Sequence, residues 1–345
     1  MSRPSRNQAL LAAGVAGAAA GAAWLSASAR RTAAESRERR ASADRGRPLS
    51  IRGADGGFRH ARVHGPEDAP TLVLVHCWTG TQELWHKQVD GLSDELRIVT
   101  YDHRGHGLSE DARDGDYSLD ALAADLAIVL EQAAFDGQPI LLAGHSLGAM
   151  TIAAWAETHR GRVIEQVRGV ALLSTGLEQL TAETQVIGPW PGPFATFRGR
   201  LADLVLETPA SLPGMPVPVV RAAAAYAALG PAARDEDIDL TARMALDCRT
   251  AARTGVGRAM ARMALLEKLD ALEAPTIVVA GERDLMTPIA HAERIELALP
   301  RPLGLRVDSE AGHMTPLESP ELVNDAIREV VAATSEGSPA SQLAA

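Results

Sequence analysis

Two cysteines and very few aromatic residues are the first constraints this chain of 345 residues sets on itself. Cys77 and Cys248 stand far apart and have no metal-ligand spacing, so neither a zinc knuckle nor a disulfide framework is built from them. With aromatics at 3% of residues, the core has to be assembled from Ala, Leu, Val and Ile. A basic surface is also lacking: the net charge is −10, which excludes a nucleic-acid-binding footprint on the folded part. No internal repeat is visible. The apolar share of 46% and the length leave ample material for one large core.

The chain divides by composition. Residues 1–47 form an N-terminal apolar segment and a basic linker, residues 48–334 a globular domain, and residues 335–345 a polar tail expected to be disordered. Residues 9–29 carry no charge and are mostly Ala and Gly, with arginines dense from Arg30 to Arg47. Three readings fit this stretch. A membrane anchor ranks first, with the arginines keeping the following domain on the cytoplasmic side. A signal peptide cleaved near Ala27–Ala29, giving a secreted protein, ranks second. An Ala-rich leader on a soluble cytoplasmic protein ranks third.

From residue 49 onward, strand and helix signals alternate. Short apolar runs at 59–64, 71–76, 97–101, 140–143, 168–174, 276–280 and 305–307 read as strands. Residues 119–134 have helical periodicity. Apolar strands separated by helices imply an α/β fold with a mostly parallel central sheet flanked by helices. The strand pattern stops at about 177–269, which reads as a helical cap inserted after the sixth strand. Within it, residues 188–193 and 213–218 read as Pro-rich loops, and residues 197–206, 235–253 and 258–269 as helices.

Residues 140–150 read I-L-L-A-G-H-S-L-G-A-M. A buried strand runs into Gly144-His145-Ser146-Leu147-Gly148 and straight on into a helix. A serine on so sharp a turn is strained, and side chains two positions to either side of it would collide, hence Gly144 and Gly148. The turn lifts the Ser146 hydroxyl above the sheet edge, where it is the candidate nucleophile. Such a hydroxyl needs a base, and the base needs an orienting acid. Asp284 follows the 276–280 strand and His313 follows the last one, so both sit where parallel sheets gather their chemistry. Glu282 is the rival acid. His76, His103, His106 and His145 are the rival histidines, none of them in a Gly-His turn after the last strand. An oxyanion hole would draw on the Leu147 amide and on the loop at 76–80, with the Trp78 amide as second donor. Asp102 and Arg104, in the polar loop at 101–109, are expected to brace the turn below, and Trp85 to anchor the core.

These motifs together resemble the α/β-hydrolase fold superfamily over residues 49–331, in its serine esterase and lipase-like branch with a helical cap. Residues 144–148 match the family's nucleophile elbow, 101–109 its D-x-R-G-x-G-x-S stretch, 281–288 its acid loop and 311–320 its histidine segment. The resemblance implies a serine hydrolase that cleaves a carboxylic ester or related acyl bond through an acyl-enzyme, with no metal or organic cofactor. The Ala- and Leu-rich cap favours a small-molecule ester with an apolar arm. Two alternatives stay open on the same fold: a cofactor-free haloperoxidase or perhydrolase activity, and non-catalytic binding of a small ligand. One departure stands out. The family has His-Gly before the oxyanion residue, whereas this chain has His76-Cys77, and a small packed thiol with no chemical role is the reading preferred for Cys77.

Overall fold

The computed structural model describes residues 46–134, 139–188, 199–203 and 215–335. The segment at 1–45 and the tail at 336–345 lie outside these, so the readings of residues 9–29 and of the tail have no structural counterpart here. Much of the Pro-rich stretches and of the expected 197–206 helix also lies outside, with 199–203 helical.

Eight strands form one sheet in the order β1-β2-β4-β3-β5-β6-β7-β8. They are β1 (Arg47–Arg52), β2 (Phe58–His64), β3 (Thr71–Val75), β4 (Arg97–Tyr101), β5 (Ile140–His145), β6 (Val167–Leu173), β7 (Thr276–Gly281) and β8 (Pro302–Asp308). The β1/β2 and β2/β4 pairs are antiparallel and all others parallel. Every residue of β3, β4, β5 and β7 is buried, as helix-covered parallel strands require.

The pleat sorts each strand onto two cores. On β3, Val73 and Val75 face Leu122, Leu126 and Ile152 from the Leu119–Val129 and Leu147–Thr158 helices. Leu72 and Leu74 face the other side, with Val89 and Leu92 and with Val323, Ile327 and Val330 of the Pro320–Ser335 helix. The spacing of those last three residues lays one stripe of that helix on the sheet. Trp85 is fully buried, as a core anchor should be.

Several elements differ from the sequence reading. β1 has no apolar run; Ile51 is fully buried, Leu49 is partly buried against the core, and the rest of this edge strand is exposed. The expected 119–134 helix keeps its span, but its last turn, Leu130–Ala134, widens to a π-helix. The expected 235–253 helix is two helices, Asp235–Asp247 and Thr250–Ala261. They break at Cys248, whose backbone is extended, and at Arg249, whose guanidinium reaches across to the Ser109 carbonyl at 2.6 and 2.8 Å. The expected 258–269 helix stops at Ala261 and resumes as a 3-10 turn at Leu266–Ala271. A cap helix at Val217–Ala228 starts inside the stretch read as a Pro-rich loop. Pro218 falls in its first turn, where the missing N–H costs nothing.

Candidate active site

β5 delivers Ser146 to the sheet's carboxyl edge, and the Leu147–Thr158 helix begins at the next residue. Ser146 has φ 51° and ψ −113°, a conformation that costs about 1–3 kcal/mol unless its surroundings enforce it. They do. The Ser146 N–H donates to Leu173 O on β6 at 2.9 Å, and its carbonyl accepts from Ala149 N and from Thr175 Oγ1 at 2.9 and 3.0 Å. The two glycines are needed for different reasons. A Cβ on Gly148 would lie 1.9 Å from Val75 O on β3, and one on Gly144 2.5 Å from the Ala149 amide. Leu147 contributes the first amide of the helix, one of those a helix leaves without an internal partner.

Asp284 lies just past β7, in a turn that its own carboxylate organises. Oδ1 accepts from Met286 N at 2.8 Å and from Thr287 N at 2.9 Å. Oδ2 accepts from Thr287 Oγ1 and from His313 Nδ1, both at 2.7 Å. Burial alone would raise this carboxyl, but the charge of His313 and the hydrogen bonds from His313 and Thr287 outweigh it and hold it below the usual aspartate range. Since Nδ1–H donates to the carboxylate, the His313 Nε2 is left as an acceptor. The rival acid Glu282 is exposed, and Asp284 does not cap the next helix, which starts at Ala290.

The other histidines are locked into structural roles. His145 donates from Nε2 to the His313 carbonyl at 2.7 Å, and burial pushes it down to about 3. His76 donates from Nδ1 to Cys77 O at 2.8 Å and accepts the His103 N–H on Nε2 at 2.9 Å. His103 donates from Nε2 to His76 O at 3.2 Å, and burial takes it to about 3.

After β3, Trp78 turns its indole Nε1–H to Arg253 O in the cap at 3.0 Å. The left-handed residue of this loop is Thr79, at φ 57°, so the residue with backbone freedom to lose is not Cys77. Cys77 is buried, which pushes its thiol up to about 12.

A cavity of about 400 Å³ lies between the sheet edge and the cap. Cys77, Trp78, Ser146, Thr287 and His313 line its floor, and the cap supplies Val219, Val220, Ala224, Ala227, Met244 and Met260. Six methionines face it: Met150, Met215, Met244, Met260, Met286 and Met314. Their unbranched thioether chains give an apolar wall that adapts to its contents. Among the described residues no group of His, Cys, Asp and Glu could hold a metal ion, and no helix is long and apolar enough to cross a membrane.

A profile for the alpha/beta hydrolase fold matches residues 70–212. 3-Oxoadipate enol-lactonase 1 from Acinetobacter baylyi is 24% identical over 274 residues, covering 79% of this chain and 92% of the lactonase. Cis-3-alkyl-4-alkyloxetan-2-one decarboxylase from Xanthomonas campestris is 35% identical over 133 residues, but these span only 36% of this chain and 42% of the decarboxylase. The solved structure of a thermophilic esterase from Thermogutta terrifontis superposes with a TM-score of 0.67 at 23% identity, over 84% of this chain and 99% of the esterase. The chain has the α/β-hydrolase fold.

In this fold the floor of the site rests on a buried polar network that sequence patterns reveal only in part. Arg104 forks onto Asp125 in the Leu119–Val129 helix, Nε to Oδ2 at 2.8 Å and Nη2 to Oδ1 at 2.9 Å. Arg59 Nε on β2 donates to the same carboxylate at 2.7 Å, and the Ala54 N–H donates to it at 2.9 Å. Asp102 accepts from Gln82 N at 2.8 Å and from Leu108 N at 3.0 Å, closing the loop at 101–109. The bracing expected of Asp102 and Arg104 is present. Asp125, Gln82 and Thr287 were not anticipated. Thr287 had a local signal, a hydroxyl three residues after an aspartate. Asp125 had none, since it looks like any polar position on a helix.

Proposed function

We propose that this α/β hydrolase cleaves carboxylic esters, or closely related acyl bonds, with Ser146 as nucleophile, His313 as base and Asp284 as the acid that orients it. The carrying observation is the buried 2.7 Å contact between His313 Nδ1 and Asp284 Oδ2, on the floor of the cavity that Ser146 also lines.

In the first step Ser146 Oγ attacks the carbonyl carbon and its proton passes to His313 Nε2. Asp284 stabilises the imidazolium and fixes the tautomer. The carbonyl oxygen becomes an oxyanion, which the Leu147 and Trp78 amides receive. The ester C–O bond breaks as His313 returns the proton to the departing alcohol. Water then gives a proton to His313 and attacks the acyl carbon, and the acid leaves as Ser146 recovers its proton. No step uses the Cys77 thiol. The apolar wall supports an ester with an aliphatic arm rather than a charged one.

A fluorophosphonate probe should label the wild type at one serine, and Ser146→Ala should abolish labelling together with p-nitrophenyl ester turnover. Labelling that survives this substitution would end the proposal. Asp284→Asn should lower kcat by about 10³–10⁴-fold, the scale of losing the orienting acid in such a triad.

A further inference from the structure

The geometry points to Glu318 as a positioning residue that locks the His313 loop to the cap, so that a ligand pressing on the cap helix Val217–Ala228 sets the placement of the base. This rests on the reading of His313 given above.

Glu318 ends the short Thr315–Glu318 helix that follows His313. Its Oε2 accepts from Gly230 N, just past the end of the cap helix, at 2.6 Å. Its Oε1 accepts from Met314 N at 3.0 Å, and the Gly312 amide reaches Oε1 and Oε2 at 3.1 and 3.2 Å. One carboxylate therefore gathers the amides on both sides of His313 and the amide at the cap's hinge. The tie is doubled by the backbone, because Ala228 O, in the last residue of the cap helix, accepts from His313 N at 2.9 Å and from Met314 N at 3.1 Å. The two backbones touch, which only glycine allows. A Cβ on Gly230 would fall 2.0 Å from Glu310 O, and one on Gly312 2.6 Å from Gly230 N. A second link carries the next cap helix onto the same turn: Lys87 Nζ bonds Asp237 Oδ1 at 2.8 Å and Leu317 O at 2.5 Å.

Residues 228–230 and 312–314 are therefore one mechanical piece with Glu318 at its centre. The same cap helix presents Val219, Val220 and Ala224 to the cavity. A long substrate arm lying on those residues bears on the piece that carries His313, whereas a short arm does not reach it. Catalysis is steep in such placements; a misplacement of about 1 Å can cost on the order of a hundredfold.

The test compares the full-length wild type, Glu318→Gln and Glu318→Asp on p-nitrophenyl acetate and p-nitrophenyl octanoate, with kcat expressed per site titrated by a fluorophosphonate. The Gln variant keeps an acceptor for Met314 and Gly312 but turns an NH₂ toward the Gly230 N–H, cutting the tie to the cap. Its kcat on octanoate should fall about tenfold or more, while acetate stays within about threefold and neither KM moves by more than about threefold. The Asp variant keeps both acceptor oxygens and should lie between Gln and wild type. If Gln does not fold, an Asp variant that loses octanoate turnover selectively still carries the inference. Equal losses on both esters would reduce Glu318 to a structural brace, and no loss on either would remove it from the site; each overturns the inference and leaves the hydrolase reading standing. A wild type that labels nowhere and turns over neither ester would sink both.

Discussion

Cys77 sits 5% exposed beside the Ser146 cavity, yet burial pushes its thiol up to about 12. A thiol this far from ionising is no nucleophile at neutral pH. Its sulfur packs under the loop turn instead, where a Cβ on Gly80 would come within 2.7 Å of it. Cys77→Ser keeps the size and should leave ester turnover within about tenfold of the wild type, roughly 1.4 kcal/mol in the barrier. A loss of several thousandfold in a folded Cys77→Ser protein would show that the thiol takes part. At this scale the sequence speaks clearly where a residue's geometry is set by its immediate neighbours. Ser146 between two glycines, and Asp284 and His313 each a few residues past a strand, could be placed at the sheet's carboxyl edge from local pattern alone. Glu318 could not, because Gly230 lies far from it in the chain and a glutamate at the end of a short helix carries no mark of its partners.

The elements beneath the site carry an unusual load of buried imidazole. His76, His103, His106 and His145 sit at the ends of β3, β4 and β5 or in the loops that follow, and burial lowers all four below the usual histidine range, His103 and His145 to about 3. The unfolded chain binds these protons near pH 6.5, whereas the native state refuses them until far lower pH. Their contribution to stability is therefore complete above about pH 6.5 and is lost progressively as pH falls from there toward 3. His103 and His145 each remove roughly 1 kcal/mol per pH unit in that window, and His76 and His106 act in the same direction, with less than full additivity because their charges interact. The melting temperature should fall steeply between pH 6.5 and 4.5, and His145→Gln should soften that fall while its amide can still reach the His313 carbonyl. A melting temperature that stays level across this range would refute the account. The neighbouring Asp125 makes a second element-scale test. Asp125→Ala leaves Arg59 and Arg104 buried without their shared carboxylate and should cost about 3–5 kcal/mol in urea denaturation. Elements were legible in proportion to their apolar content. The buried strands β3 to β7 announced themselves, whereas β1, a mostly exposed edge, and the cap helix starting at Val217, behind two prolines, were hidden by composition that is ordinary for a loop.

Over the whole molecule, the sheet and the cap divide the work. Strand ends β3, β5, β7 and β8 lead into Trp78, Ser146, Asp284 and His313, while the cap supplies most of the apolar wall. That division was readable in outline, from strand runs that stop after residue 174 and resume at 276. The shape of the wall was not, because methionines scattered from Met150 to Met314 converge only through the fold. The division makes size preference a property of the cap and bond breaking a property of the sheet, with the Gly230–Glu318 tie as the link between them. Ala224 lines the cavity from the Val217–Ala228 helix, one turn before Ala228, whose carbonyl accepts from the His313 loop. Ala224→Trp puts an indole into a cavity of about 400 Å³ and takes up much of the room for a long arm. Burying one methylene is worth about 0.8 kcal/mol, so denying several of them to the substrate should lower kcat/KM for p-nitrophenyl octanoate by at least about tenfold. Turnover of p-nitrophenyl acetate and fluorophosphonate labelling of Ser146 should persist, since neither needs that space. If the ratio of octanoate to acetate activity is unchanged in Ala224→Trp, the long arm does not lie against the cap, and the apolar wall has another purpose.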